Sequence, residues 1–223
     1  MLAYNKVMYH FHTHNCYDKL YKEGNEIIVN KRFNLGRQYF IKSFSTGVYC
    51  VSPDGLKDIP EIIQLLLSHI DTKEKLLDLK SLDDSAYLHN MHNVIKVLSD
   101  CSEIIRYAGA YNLETALEET REKHYDYLPS RFNSMFLTDD YGLDYWSKVY
   151  DKIPSDLYEL SVTGSLFQTS AALTPPIALP HLEMLKLAHL YWNPMFKSEE
   201  EKETVEYLFT GKAKVLRKIN KEI

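Results

Sequence analysis

The chain has 223 residues, of which 45% are hydrophobic and 26% charged, with 8 glycines, 8 prolines and a formal net charge of −5. This composition excludes disordered, collagen-like and low-complexity chains, and it provides enough apolar surface for a folded core. The acidic balance argues against tight nonspecific binding of nucleic acid.

The three cysteines, Cys16, Cys50 and Cys101, are widely spaced and form no Cys-x-x-Cys pair. Such a set predicts neither a disulfide framework nor a cysteine zinc site, and it fits a reducing cytoplasm. The first residues lack the pattern of a secretory signal, and the most apolar stretch, IIQLLLSHI, is too short to span a bilayer. We therefore expect a soluble cytoplasmic protein with no membrane partner.

Short strands are predicted near both ends of the chain. Residues 7–13 alternate between two faces with a period of two, which indicates a first strand. Further strand-like runs occur at 26–29, 47–52, 132–137 and 157–164. The last apolar segment, 205–219, is interrupted at its centre by a Thr-Gly-Lys sequence around Gly211, which predicts a hairpin turn.

The middle of the chain has the helical period of 3.6 residues. Apolar side chains recur at i, i+3, i+4 and i+7 from Ile59 to Ile70, and a similar pattern runs from Tyr87 to Leu98. Two amphipathic helices are therefore predicted between the two groups of strands.

Two more helices are predicted from their start and stop signals. Asn112 can cap a helix over 112–124 that ends near Tyr125, and Pro180 precedes a helix over 181–192. Strands that flank a helical block, without regular alternation of strands and helices along the chain, predict the α+β class. We expect one domain over 1–223 with a helical insertion at about 57–125.

His10, His12 and His14 form the first candidate site. Two histidines two apart on a strand project to the same side, a geometry that can bind a metal ion in a hydrolase. The barrels that use this geometry need repeated strand-helix units and further ligands at strand ends, which the sequence does not supply. The alternatives are histidines that form hydrogen bonds within a cleft or surface, or a single His10 or His12 that binds a ligand without metal.

Arg131 is the second candidate, in the segment LPSRFNSMFL. Pro129 ends the preceding helix, and Arg131 then stands at the start of a strand, where its guanidinium can hold two phosphate oxygens at once. Ser130 and Ser134 can add neutral hydrogen-bond donors. Taken alone, Arg131 is better explained as a surface ion pair.

Glu206 is the third candidate, near the start of the last strand. Alternation places Val205 and Tyr207 on one face of this strand and Glu206 on the other. Without a known neighbour for that face, the pattern favours an exposed carboxylate over one in a cleft. Tyr191 and Trp192, at the end of the helix before it, are interpreted as packing residues.

Taken in chain order, four motifs resemble those of bacterial families with the ADP-ribosyltransferase-like fold. They are YHFH on the first strand, LPSRFNSMFL after a helix, AHLYWNP at a helix end and the closing VEYLFTGKAKVL. The last motif also resembles the Glu-x-Leu strand of the DarT-type toxins. The resemblance implies a split β-sheet core with a helical insertion, and NAD as a substrate.

The resemblance also implies roles in NAD binding. His10, or its rival His12, would hold the adenosine-side ribose. Arg131, together with Ser130 or Ser134, would contact the pyrophosphate or a ribose. No metal ion is expected in this interpretation.

By the same resemblance, Glu206 would lie beneath the nicotinamide ribose, where a carboxylate stabilises the sugar cation that forms as nicotinamide leaves. The residue two positions earlier is Thr204 rather than a second acid, which weakens the case for a protein arginine as acceptor. Nucleic acid or another protein side chain is left as the acceptor. The 17 tyrosines and 9 phenylalanines favour RNA or DNA, because aromatic rings stack on bases.

The sequence thus predicts an NAD-dependent mono-ADP-ribosyltransferase that modifies a macromolecule. A bacterial toxin or phage-defence effector is the expected context, in which an antitoxin is a candidate partner. The alternatives are a metal-dependent hydrolase that uses the histidine cluster and a non-catalytic module whose helical block binds a partner.

Overall fold

The computed structural model describes residues 1–13, 18–30, 33, 48–52, 55–58, 108–151 and 153–219. The chain divides into two compact units, one of Met1–Arg37 with Leu113–Ile223 and one of Gln38–Asn112. The single domain over 1–223 and the insertion at about 57–125 stay predictions.

Several sequence predictions lie outside the described residues. They are the two helices from Ile59 to Ile70 and from Tyr87 to Leu98, and the residues His14, Cys16 and Cys101.

The described strands and helices make this a mixed α+β protein. In chain order the strands are β1 (Leu2–Thr13), β2 (Glu26–Val29), β3 (Val48–Ser52), β4 (Gly55–Asp58), β5 (Met135–Leu137), β6 (Ser155–Ser170) and β7 (Val205–Ile219). The described helices are α1 (108–124), α2 (Asp140–Tyr150), α3 (His181–Trp192) and α4 (Glu199–Glu203). None of these helices combines the length and apolar character needed to cross a bilayer.

Five antiparallel strands form the sheet of the first unit. Their order is β1-β6-β7-β2, and β5 pairs with the first part of β7. The chain after β5 returns to β1, because Tyr9 and Thr138 exchange backbone hydrogen bonds of 2.8 and 2.9 Å. The strands β1, β6, β7 and β5 thus form a closed circuit of pairing. In the second unit, β3 and β4 form an antiparallel hairpin.

The hairpin predicted around Gly211 is wrong, because β7 is a single strand over Val205–Ile219. Gly211 lies opposite Gly164 of β6, and its φ of 143° belongs to the region that favours glycine. A Cβ on Gly211 would overlap with the Thr163 carbonyl oxygen and would lie 2.8 Å from Gly164 Cα. The glycine therefore allows two long strands to approach closely, instead of turning the chain between two short ones.

Gly211→Ala is expected to lower the free energy of unfolding by about 2–3 kcal/mol, through backbone strain and overlap with β6. Gly24→Ala is the matched control, because Gly24 also has a positive φ, 83°, but no atom of the described residues lies within 4 Å of a Cβ there. The control should cost about 1 kcal/mol. Urea unfolding followed by circular dichroism measures both changes, and equal losses would contradict a tight approach at Gly211.

The predicted helix over 181–192 is confirmed as α3, which begins directly after Pro180. The predicted helix end near Tyr125 is also confirmed. The prediction that Asn112 caps α1 is wrong, because the chain is already helical from residue 108. A capping residue has an extended backbone, and the alanines before Asn112 favour a helical one.

Two hydrophobic cores lie on opposite sides of β7. Tyr207 and Phe209 belong to the larger core, whereas Leu208 packs with residues of α1 and α3. Because successive side chains of a strand point to opposite faces, Glu206 lies on the same face as Leu208. The candidate carboxylate is therefore directed toward the helices.

Candidate active site

The prediction that Glu206 is exposed is wrong, since only 5% of this residue is accessible to solvent. Its Oε1 accepts a hydrogen bond of 2.8 Å from Arg131 Nη1 and one of 2.5 Å from the Tyr191 hydroxyl. Within the described residues, no hydrogen bond reaches the second oxygen, Oε2. The alternation of side chains along the strand could not predict the burial of Glu206, because it does not show that α3 supplies Tyr191 as a partner on this face. One carboxylate oxygen is thus held in place, and the other keeps its capacity to accept.

Arg131 is 7% exposed and joins two carboxylates, so its interpretation as a surface ion pair is wrong. Its Nε and Nη2 donate to the two oxygens of Glu114, at 3.0 and 3.1 Å. Its Nη1 donates to Glu206 and also to the Tyr191 hydroxyl. The guanidinium carbon lies 4.9 Å from the ring centre of Phe136 and 4.7 Å from that of Tyr191. This geometry requires the planar fork of arginine.

Glu114, Arg131, Tyr191 and Glu206 form a cluster that we call the Arg131 network. Burial lowers the pKa of Arg131, but its oxygen partners Tyr191 and Glu206 outweigh burial, so this pKa is raised above its ordinary value. Burial raises the pKa of Tyr191 well above its ordinary value, and Glu206 adds to this effect. At neutral pH the network therefore contains a guanidinium cation and a neutral phenol that donates its hydrogen to Glu206.

The end of α3 is fixed to the sheet beside Glu206. Thr169 of β6 lies directly opposite Glu206 in the strand pairing, and its hydroxyl donates a 2.7 Å hydrogen bond to the Tyr191 carbonyl oxygen. Trp192 Nε1 donates a 2.7 Å hydrogen bond to the Leu117 carbonyl oxygen of α1. Tyr191 is thus held through its main chain as well as through its hydroxyl.

Ser130 and Ser134 shape the turn before β5, and within the described residues neither forms a hydrogen bond with the Arg131 network. The Ser130 hydroxyl accepts a 3.1 Å hydrogen bond from the Phe132 backbone N–H. The hydroxyl of the buried Ser134 donates a 2.7 Å hydrogen bond to the Ser130 carbonyl oxygen. Contacts of these serines with NAD stay predictions.

The His10 ring joins β1 to β5. Its Nδ1 lies 2.8 Å from the Phe136 carbonyl oxygen, and its Nε2 lies 2.9 Å from the Tyr21 hydroxyl. Because a carbonyl oxygen can only accept, Nδ1 carries the hydrogen and Nε2 accepts from Tyr21. A metal or ribose contact at His10 therefore requires Tyr21 to move. Phe136 links His10 to the Arg131 network, because its carbonyl oxygen accepts a hydrogen bond from His10 and its ring packs on Arg131.

His12 is 4% exposed, and its Nε2 lies 2.8 Å from Asp18 Oδ1. Its ring stacks on Tyr21, with ring centres 4.0 Å apart. Across the residues that the structure describes, which exclude His14, no three His, Cys, Asp or Glu residues are arranged to hold a metal ion. In the same part of the chain, neither His10 nor His12 forms a hydrogen bond with Glu206.

His10 should make the stability of the protein depend on pH. Burial lowers the pKa of His10 from 6.5 to about 4. Above pH 6.5 the histidine is neutral in the folded and unfolded chains, and its contribution is complete. Between pH 6.5 and 4 only the unfolded chain binds the proton, so stability falls as pH falls, by at most about 1.4 kcal/mol per pH unit.

His10→Gln is expected to remove this pH dependence. The difference in unfolding free energy between wild type and His10→Gln should shrink from pH 7 to pH 4.5, because only the wild type loses stability by protonation at this position. Urea unfolding at pH 7, 5.5 and 4.5 measures the difference. A difference that stays constant over this range would contradict a His10 that is kept neutral in the folded protein.

Glu114 and Tyr191 were not predicted from the sequence as site residues. An acidic residue in the early part of a predicted helix is ordinary, which hides the pairing role of Glu114. Tyr191 beside Trp192 has the pattern of a packing residue. No neighbouring residue in the sequence marks either one as a site residue. Both are identified only by their contact with Arg131, which lies 17 residues from Glu114 and 60 residues from Tyr191.

Comparison with known families matches residues 8–221 to the family described as "Protein of unknown function (DUF2441)". The matched range contains all four residues of the Arg131 network and both described histidines of the first strand. No curated protein matches the chain.

Proposed function

This chain belongs to the DUF2441 family of proteins of unknown function, and for it we propose the activity of an NAD-dependent mono-ADP-ribosyltransferase, a glycosyltransferase-class enzyme. The observation that carries the proposal is the Glu206 carboxylate, which is buried and held on one oxygen by Arg131 and Tyr191. A carboxylate preorganised in this way stabilises a cation that forms beside it more strongly than a mobile carboxylate in water does.

In the proposed reaction, the bond between C1′ of the nicotinamide ribose and the pyridinium nitrogen breaks. The electron pair of this bond goes to the nitrogen and neutralises the ring, and C1′ becomes an oxocarbenium-like cation. The lone pair of a nucleophile on the macromolecule then forms the new bond to C1′, and the nucleophile releases its proton to solvent. Glu206 Oε2 supplies the negative charge beside C1′ and accepts a hydrogen bond from the ribose 2′-hydroxyl.

Arg131 has a different role in this proposal from the one that the resemblance implies. Because its N–H groups already reach Glu114, Tyr191 and Glu206, we assign Arg131 to holding Glu206. Four of its five N–H groups are engaged, so a bidentate contact of Arg131 with the pyrophosphate would require one of the two carboxylates to leave. Since Glu206 is 5% exposed, the proposal also requires that NAD binding opens a path to Oε2.

The remaining assignments follow the resemblance. His10 or His12 would contact the adenosine-side ribose, and Ser130 or Ser134 the pyrophosphate or a ribose. The finer fold assignment, an ADP-ribosyltransferase-like split sheet, belongs to the same proposal. It is supported by the five-stranded antiparallel sheet and by the positions of the four motifs on β1, before β5, at the end of α3 and on β7.

The proposed acceptor is a macromolecule, with RNA or DNA preferred to protein. Exposed aromatic side chains that can stack on bases support this preference, and they include Tyr4, Tyr127 and Tyr141. A cytoplasmic toxin or phage-defence effector, with an antitoxin as partner, is the biological context that we propose.

The experiment that tests this proposal uses two forms of NAD, one labelled in the nicotinamide and one in the adenylate. Purified protein should release free nicotinamide and should transfer the adenylate label to RNA, DNA or a protein fraction added separately. Release without transfer would support NAD cleavage but overturn the choice of acceptor. The absence of both with all three acceptors would overturn the proposed function.

A second candidate function is a non-catalytic interaction module. It is favoured by the pairing of Arg131 with two carboxylates and a phenol, because a buried network of this kind can also serve stability alone. NAD binding measured by isothermal titration calorimetry separates the two candidates, because only the enzyme is expected to bind NAD.

A further inference from the structure

The Arg131 network contains two residues that take part in no bond-making or bond-breaking step of the proposed reaction, Glu114 and Tyr191. We propose that both are positioning residues, which restrict the Glu206 carboxylate so that Oε2 stays free for the substrate. Neither is expected to touch NAD. This inference rests on the proposed function and adds to it the means by which the carboxylate is oriented.

Tyr191 holds one oxygen of Glu206 from a fixed position. Its hydroxyl donates to Oε1 over 2.5 Å, and the residue is 0% exposed. Its main chain is tied to Thr169, which lies opposite Glu206 on the neighbouring strand. Because Tyr191 and Glu206 are anchored to the same level of the sheet, this hydrogen bond limits rotation of the carboxylate. Tyr191 therefore selects Oε1 as the held oxygen.

Glu114 acts on Glu206 through Arg131. It occupies the Nε and Nη2 edge of the guanidinium with both of its oxygens. This leaves Nη1 for Glu206, which it contacts at Oε1. An arginine fork without such a partner prefers to bind a carboxylate through two parallel hydrogen bonds. If Glu114 did not occupy this edge, Arg131 could turn and bind both oxygens of Glu206, which would block Oε2.

The test compares Tyr191→Phe and Glu114→Gln with two matched controls. Tyr191→Phe keeps the ring that packs on Arg131 and removes only the hydroxyl. Tyr125→Phe is its control, because this substitution also removes a tyrosine hydroxyl that forms a side-chain hydrogen bond, in this case with His189. Glu119→Gln is the control for Glu114→Gln, because Glu119 lies on the same helix and its partner is His181.

Each positioning variant is expected to lower kcat for NAD cleavage by roughly 10–100-fold, the effect of losing one hydrogen bond to a charged group. KM should change by less than about threefold, because no contact with the substrate is lost. The two controls should keep the kcat of the wild type. In a Glu206→Gln background, Tyr191→Phe and Glu114→Gln should cause no further loss, because they act only through Glu206.

A spectroscopic measurement separates this inference from the proposed function. In protein labelled with ¹³C at the glutamate carboxyl groups, the Glu206 signal is identified by its loss in Glu206→Gln. This signal should move in Tyr191→Phe and in Glu114→Gln, and it should stay in place in both controls. If the Glu206 signal moves in both variants but the protein does not cleave NAD, the proposed function is overturned. The inference that Tyr191 and Glu114 position the carboxylate then still stands.

Three results would overturn the inference. They are an unmoved Glu206 signal, a wild-type kcat in both variants, and a further loss of rate when either change is added to Glu206→Gln. Thr169→Val provides a second test of Tyr191 if Tyr191→Phe does not fold, because Thr169 anchors the Tyr191 main chain without contacting Arg131 through its hydroxyl. It should also lower kcat with little effect on KM, and an unchanged kcat would count against the inference.

Discussion

Glu206→Gln is expected to slow NAD cleavage by roughly 10²–10³-fold, the effect of removing one preorganised electrostatic contact at a transition state. The substitution keeps the size of the side chain but removes the charge that, in the proposed reaction, stabilises the sugar cation. NAD affinity should change little, because the charge matters most after the glycosidic bond has begun to break. Nicotinamide release measured over a range of NAD concentrations gives kcat and KM for wild type and variant.

Glu159→Gln is the matched control for this experiment. Glu159 is also a strand carboxylate paired with an arginine, since it accepts hydrogen bonds from Arg217 at 2.7 and 3.2 Å. It belongs to β6 and pairs at the surface, so its substitution should leave kcat unchanged. Equal rates for wild type and Glu206→Gln would remove Glu206 from the mechanism. A fall in rate for Glu159→Gln as well would point to a general loss of structure.

Arg131→Met is expected to lower the free energy of unfolding by about 3–5 kcal/mol, because it leaves two buried carboxylates without their counter-ion. Glu114 and Glu206 are 8% and 5% exposed, so water cannot readily replace the guanidinium. Methionine fills similar space between Phe136 and Tyr191, which confines the effect to charge and hydrogen bonding. Urea unfolding at pH 7 measures the loss.

Arg217→Met provides the comparison for an exposed ion pair. The Arg217 side chain is 66% exposed and that of its partner Glu159 is 15% exposed, so this change should cost about 1 kcal/mol, well below the loss for Arg131→Met. Adding Glu114→Gln to Arg131→Met should recover part of the stability, because one buried negative charge is then removed. Similar losses for Arg131→Met and Arg217→Met would mean that the Arg131 network contributes no more than a surface pair.

The sequence by itself determined several of the local elements and the residues proposed to carry chemistry. Alternation over 7–13 predicted β1, the short apolar run at 26–29 predicted β2, and the proline before 181–192 marked the start of α3. These patterns succeed because each depends on neighbours within one or two turns of the chain. The sequence also singled out Arg131 and Glu206 as candidates, from their residue types and their positions beside strands.

Only the tertiary structure decided what these residues contact. Arg131 and Glu206 are 75 residues apart in the chain, and the pairing of β5 beside β7 and the packing of α3 on β7 bring them together. Burial then follows from packing that no local pattern contains, so both residues were expected at the surface. The same reason explains Gly211, which has the local pattern of a turn but lies against Gly164 of a distant strand. Glu114 acquires its role in the same way, since a charge in a buried position needs a counter-ion and folding supplies it from another element.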